Sequence, residues 1–101
     1  MSREDVKKIL LNAIKNGPFR NDIGKALLFG SYARGDNKEE SDIDVLVEFK
    51  PHAKIGLFKL VQLQRILSEV TGKKVDLLTP QGLSKFFKED VMKEAELIYE
   101  E

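Results

Sequence analysis

Two aspartates placed two positions apart are the residues with the clearest chemical meaning. Asp42 and Asp44 begin a β-branched, apolar segment that ends at Lys50. Because side chains alternate across a strand, the two carboxylates leave the same face. At about 4 Å they repel by roughly 4 kcal/mol at an effective dielectric near 20, so they need a cation or a proton between them. Oxygen ligands favour hard divalent ions, and the pair therefore predicts a Mg²⁺ or Mn²⁺ site.

A third acid has the same character. Asp76 lies between Val75 and Leu77 in a later apolar segment, and a charge there costs stability unless something compensates it. If this segment pairs beside the first, three carboxylates converge. Three carboxylates are enough to hold two metal ions roughly 3.5 to 4 Å apart for an in-line phosphoryl displacement. The sequence does not establish that these two segments are neighbours in the sheet, so their pairing is an assumption.

A Gly-Ser pair precedes the aspartates at a fixed spacing, with ten residues between Ser31 and Asp42. Gly30 lets the backbone approach a ligand closely, and Ser31 is placed to cap the turn that follows. Exposed N–H groups at a helix start attract anions such as a terminal phosphate. Arg34, one turn further on, is within reach of the same phosphates. We therefore predict a phosphate-binding group formed by Gly30, Ser31 and Arg34.

The composition narrows the possible chemistry. The 101 residues are 42% hydrophobic and 34% charged, which predicts one folded domain over residues 1–101. Seventeen basic residues balance seventeen acidic ones, which disfavours broad nucleic-acid binding. The absence of cysteine excludes thiolate catalysis and Cys-ligated metals, and the presence of a single histidine excludes a His-rich metal site. Neither a signal peptide nor a membrane span is evident, so we expect a cytoplasmic protein.

Hydrophobic periodicity predicts the elements that position these residues. Helices are expected over residues 4–16, 31–36 and 56–71 and from Ser84 onward, and strands over residues 26–29, 41–49 and 74–78. We interpret residues 96–100 as an edge strand rather than the end of the last helix. This order indicates a small sheet with helices packed against it.

Several other side chains have ordinary structural interpretations. Spacing places Phe86, Phe87, Leu97 and Tyr99 mostly in the core, and the alternative is that some of them form a partner-binding patch. Tyr32 is placed either to stack on a base or to pack beneath its turn. We interpret the Lys73-Lys74 pair as solvated, although it precedes Asp76 and is placed to neutralise phosphates.

The motifs together resemble a known family. Residues 28–35 (LFGSYARG) and 41–47 (SDIDVLV) are similar to the GSxxRG and SDIDxxV signature of the DNA polymerase β-like nucleotidyltransferase superfamily. They are closest to its minimal nucleotidyltransferase (MNT) members. The resemblance implies an α+β fold, a small mixed sheet of about three or four strands with helices packed against it.

The resemblance also implies a role for each signature residue. Gly30 and Ser31 would hold a nucleoside triphosphate such as ATP, and Asp42 and Asp44 would bind the catalytic Mg²⁺ ions. Asp76 would be the third acid, which activates the attacking hydroxyl. Every signature position is filled, so we expect a competent site.

MNT proteins are commonly antitoxins paired with a helical HEPN ribonuclease toxin, onto whose tyrosine they transfer AMP from ATP. The resemblance therefore implies a protein adenylyltransferase with a HEPN-family partner. Two alternatives remain open from the sequence. One is a binding module that neutralises a toxin without catalysis, and the other is a nucleotidyltransferase with a small-molecule acceptor.

Overall fold

The computed structural model describes residues 1–82 and 84–101, and helices and strands alternate along them much as the sequence predicts. The helices are α1 (Arg3–Asn16), α2 (Gly30–Arg34), α3 (Leu57–Thr71) and α4 (Lys85–Glu94), with a 3₁₀ turn at Pro80–Gly82. The strands are β1 (Ile23–Phe29), β2 (Ile43–Phe49), β3 (Val75–Leu78) and β4 (Glu96–Glu100). The interpretation of the last segment as a strand is confirmed.

The four strands form one mixed sheet in the order β3-β2-β1-β4. β1 pairs antiparallel with both β2 and β4, whereas β2 pairs parallel with β3. A parallel pair needs a long crossover, and α3 supplies it. The assumed neighbouring order of the two acid-bearing strands is therefore correct, and the architecture is the expected α+β.

The two faces of the sheet are covered by different clusters of apolar side chains. Along β2, Ile43, Val45 and Val47 are fully buried in the main core, which also contains residues of α1 and α3. The opposite face presents Leu46, which packs in a second, smaller cluster with Leu27, Phe29 and Val91. Because Asp44 alternates with Val45, it lies on this second face, beyond the end of the smaller cluster.

The helix starts follow local capping chemistry. The Ser2 hydroxyl accepts a hydrogen bond from the Asp5 N–H, and the Asp5 carboxylate accepts one from the Ser2 N–H, which together form a capping box for α1. The Ser84 hydroxyl accepts from the Phe87 N–H and caps α4. Among the helices of the described ranges, none combines the length and apolar character that a bilayer crossing requires.

β1 begins three residues earlier than predicted. Ile23 is fully buried and pairs with Phe49, so it belongs to the sheet. Gly24 and Lys25 follow it, and neither residue type favours strands, so the apolar pattern hides the true start. Conversely, β2 begins at Ile43 rather than at residue 41.

The prediction that the aromatic residues of α4 are buried is wrong. Phe86 is 80% exposed and Phe87 is about half exposed, because α4 meets the sheet through Val91 alone among its buried residues. Leu97 is also exposed, whereas Tyr99 packs against the main core. Tyr32 is 1% exposed, which favours packing beneath the turn over stacking on a base.

Leu67 and Leu57 provide a test of this core on one helix. Leu67 is 0% exposed and Leu57 is 77% exposed, both in α3. Leu67→Ala should lower the free energy of unfolding by about 2 to 5 kcal/mol, since it leaves a cavity. Leu57→Ala should change it by less than about 0.5 kcal/mol. Urea unfolding followed by circular dichroism measures both, and equal losses would contradict the assignment of the core.

Candidate active site

A cavity of about 510 Å³ lies where β1 runs into α2 and β2 begins, with α4 forming its opposite wall. Its volume is in the range typical of small-molecule sites. All six site residues predicted from the sequence line it: Gly30, Ser31, Arg34, Asp42, Asp44 and Asp76. Residues that are more than forty positions apart in the sequence thus line the same cavity.

The strand register brings the carboxylates together. In the parallel pair, Asp44 is the direct partner of Asp76, and Asp42 immediately precedes the paired segment. All three side chains reach the cavity. In residues 1–82 and 84–101, however, no three acidic or histidine side chains form a finished metal-ligand cluster. The acids line an open surface, so any metal ion would need further ligands from water or substrate.

Asp44 is the most perturbed of the three acids. Partial burial raises the pKa of its carboxyl, and the neighbouring charges of Asp76 and Asp42 raise it further, against a smaller lowering effect of Arg34. Both main causes disfavour the ionised form. A bound cation would reverse the second cause, so the site is electrostatically suited to one.

Gly30 is required by two independent features of its position. Its φ is +73°, a left-handed conformation that side chains rarely adopt. A Cβ at this residue would also collide with Oδ2 of Asp44 and lie 3.1 Å from its Cγ. The close approach follows from the antiparallel register, in which Phe29 pairs with Asp44. Glycine therefore allows the Asp44 carboxylate to lie against the backbone at the start of α2.

Ser31 does not cap α2 as predicted. The helix begins at Gly30, its N-cap is Phe29, and no side chain caps it. The Ser31 carbonyl accepts hydrogen bonds from the N–H groups of Gly35 at 2.9 Å and Asp36 at 3.1 Å, which end the short helix. The Ser31 hydroxyl is thus not used as a cap, and the residue lines the cavity in the first turn of α2.

Arg34 is held by two acids. Its Nε donates to Oδ2 of Asp36 at 3.1 Å and its Nη1 donates to Oε2 of Glu94 at 3.3 Å. These hydrogen bonds raise the pKa of the guanidinium, so it stays charged. The second contact joins α2 to α4 across the cavity, and it places a fixed positive charge beside the acids.

Sequence reasoning missed the wall formed by α4. Phe87, Asp90, Val91 and Glu94 line the cavity. Their spacing puts them on one face of a helix, so the sequence carried a signal. It did not indicate that this face meets the site, because that depends on how α4 crosses the sheet.

Comparison with known proteins agrees with this geometry. A family model described as "Nucleotidyltransferase domain" matches residues 6–98. The chain belongs to the nucleotidyltransferase domain family. A Methanocaldococcus jannaschii protein, named provisionally as a protein adenylyltransferase, is 42% identical over 89 residues, or 88% of each chain. The protein adenylyltransferase MntA of Thermococcus cleftensis is 32% identical to this nucleotidyltransferase over 93% of each chain.

Solved structures share the fold. One described provisionally as a minimal nucleotidyltransferase superposes with a TM-score of 0.76 at 29% identity, covering 95% of both chains. Another, of a tri-AMPylated Shewanella oneidensis HEPN toxin in complex with an MNT antitoxin, contains a chain similar at a TM-score of 0.66 and 20% identity. That match covers 94% of this nucleotidyltransferase and 73% of the other chain, and at that identity it shows the fold alone.

The donor set of this nucleotidyltransferase fits a divalent cation. Carboxylate oxygens are the ligands that Mg²⁺ prefers, and Mg²⁺ usually takes one or two of them and completes its octahedron with water and substrate phosphate. Asp42, Asp44 and Asp76 offer such oxygens on one open surface. The raised pKa of Asp44 and the space that Gly30 leaves beside it are consistent with a cation at this place.

Gly30→Ala should damage the site more than the fold, and Gly35→Ala is its matched control. Both residues have positive φ, but a Cβ at Gly35 meets nothing within 4 Å. Each substitution should therefore cost about 1 to 2 kcal/mol of stability for the left-handed backbone. Gly30→Ala should in addition displace Asp44 and abolish nucleotidyl transfer. Retention of full activity by Gly30→Ala would contradict the close approach.

Asp44→Asn should stabilise the metal-free protein. Because the folded-state pKa of Asp44 is raised, its ionisation costs stability as pH rises from the unfolded pKa through the folded one. The gain in Tm of the variant should thus be absent near pH 3 and largest at neutral pH. Asp5→Asn should have the opposite sign, since hydrogen bonds from Ser2 lower the pKa of Asp5. Thermal melts in EDTA across pH test both, and a lower neutral-pH Tm for Asp44→Asn would refute the argument.

Proposed function

We propose that this nucleotidyltransferase transfers AMP from ATP to a hydroxyl of a partner protein, with Mg²⁺ as cofactor, and thereby acts as an antitoxin. The acceptor is a tyrosine of a HEPN-family toxin, and the reaction takes place in the cytoplasm. The observation that carries the proposal is the convergence of three acids and a Gly-Ser-containing turn on one cavity in a chain of this family.

The chemistry is an in-line displacement at the α-phosphorus. The acceptor oxygen forms a bond to that phosphorus, the bond to the bridging oxygen of pyrophosphate breaks, and pyrophosphate leaves. Asp76 accepts the hydroxyl proton. Mg²⁺ held by Asp42, Asp44 and Asp76 would neutralise the negative charge that develops on the phosphoryl oxygens.

The opposite side of the cavity holds the rest of the nucleotide. The backbone of Gly30 and the first turn of α2 face the triphosphate, and Ser31 offers its hydroxyl to it. Arg34 presents its guanidinium to the same phosphates, although the same group also donates a hydrogen bond to Glu94. These residues bind and orient, so that the reacting atoms meet without a large entropic cost.

Two of the comparisons support a protein as the acceptor. The Thermococcus cleftensis relative is named a protein adenylyltransferase, and the Shewanella oneidensis structure contains an AMPylated HEPN toxin with an MNT antitoxin. The cavity is bounded on one side by α4, whose Phe86 is largely exposed. An open site beside an apolar side chain is compatible with an acceptor presented by another protein.

The proposal is tested by incubating the protein, α-labelled ATP and Mg²⁺ with a co-encoded HEPN protein. We expect a mass gain of one or more AMP units on that protein. Asp42→Asn combined with Asp44→Asn should reduce the transfer by at least about a hundredfold, since it removes the metal ligands. Glu39→Gln combined with Glu40→Gln removes the same charge from two exposed loop residues and should leave transfer unchanged.

The other outcomes identify the alternatives. A tight complex that inhibits the toxin without ATP, and is unaffected by the double aspartate variant, would replace the proposal with a non-catalytic binding module. Nucleotidyl transfer to a small molecule in the absence of any protein partner would mean that the acceptor is a small molecule rather than a protein. Full transfer by the double aspartate variant would refute the metal mechanism.

A further inference from the structure

The parallel register places a lysine in the same row as the three acids. Ile43 pairs with Val75 and Asp44 with Asp76, and the Ile43 N–H donates to the Lys74 carbonyl at 2.9 Å. Lys74 is therefore the cross-strand neighbour of Asp42, as Asp76 is of Asp44. Because residues two apart share a face of a strand, Lys74 and Asp76 project to the same side.

The contacts agree with this placement. Lys74 Nζ lies 3.7 Å from Oδ1 of Asp76 and 3.9 Å from Oδ2 of Asp42. One ammonium group thus bridges two of the three carboxylates, although its side chain is 66% exposed. Within the described residues, no basic side chain forms an ion pair with Asp44, the third acid. Lys74 is exposed, as expected for a solvated lysine, and it contacts two of the acids as well.

We propose that Lys74 is an internal competitor for the divalent cation and sets the affinity of the site for it. The inference rests on the proposed function, because it takes Asp42 and Asp76 as metal ligands. In the metal-free protein the ammonium lowers the repulsion between the two carboxylates. A divalent ion must displace it from them or bind beside a positive charge, and in both cases its binding is weakened.

Lys73 is a natural control for this effect. It carries the same charge and is adjacent in the sequence, but its Nζ donates to the backbone carbonyl of Glu39 rather than to a cavity acid. Lys73→Gln therefore changes the net charge of the protein as Lys74→Gln does. Only Lys74→Gln removes the ammonium from Asp42 and Asp76.

Isothermal titration of the full chain with Mn²⁺, without nucleotide, tests the proposal. Lys74→Gln should lower the Kd for Mn²⁺ by roughly two- to fivefold, the range expected for loss of a partly exposed ion pair. Lys73→Gln should change it by clearly less, and Lys74→Arg, which keeps the charge, should bind as the wild type does. In EDTA, Lys74→Gln should also have a lower Tm and a larger rise in Tm when Mn²⁺ is added.

Equal affinities of Lys74→Gln and Lys73→Gln, or weaker Mn²⁺ binding by Lys74→Gln, would overturn the proposal while leaving the metal site intact. Wild-type protein that binds no Mn²⁺ at millimolar concentration would overturn both this inference and the metal site of the proposed function. The two failures are therefore distinguishable in one set of titrations.

Discussion

The repulsion among Asp42, Asp44 and Asp76 is the constraint on which the rest of the site depends. Partial burial and the neighbouring charges of Asp76 and Asp42 raise the pKa of Asp44 and make this end of the sheet costly to fold. The parallel pairing of β2 and β3 fixes the arrangement, because a register shift of one residue would turn Asp76 and Lys74 to the opposite face. The buried residues of β2 and β3 on the other face prevent that shift. The main core thus fixes the position of the acids.

The same alternation explains why the cavity lies where it does. On the second face of the sheet, Leu27, Leu46 and Val91 form a small apolar cluster under α4. The acids begin where this cluster ends, so apolar and charged side chains both line the cavity. Gly30 completes the arrangement, since only a residue without Cβ allows the turn into α2 to approach Asp44.

Most of the fold, and six of the thirteen described residues that line the cavity, could be predicted from local pattern. The β-branched segment after Asp42, the helix-period segment of α3 and the Gly-Ser turn each specify their own conformation, and their combination indicated the family. Features that depend on how elements cross could not be predicted. The exposure of Phe86, the α4 wall with Asp90 and Glu94, and the contact of Lys74 with two acids all follow from tertiary geometry. The start of β1 was missed for a local reason, because Gly24 and Lys25 interrupt its apolar pattern.

The charges around the cavity link the binding of nucleotide to the binding of metal. Among the residues that the structure describes, five acids line it, namely Asp42, Asp44, Asp76, Asp90 and Glu94, against one arginine, Arg34. Although the whole chain has a formal net charge of +0, this surface is strongly negative. A triphosphate alone would be repelled here, whereas divalent ions lower the charge of both the acids and the phosphates. By linkage, each ligand must then raise the affinity for the other by the same factor. Lys74 and Arg34 supply only part of the positive charge that this surface needs, and the remainder has to arrive with the substrate.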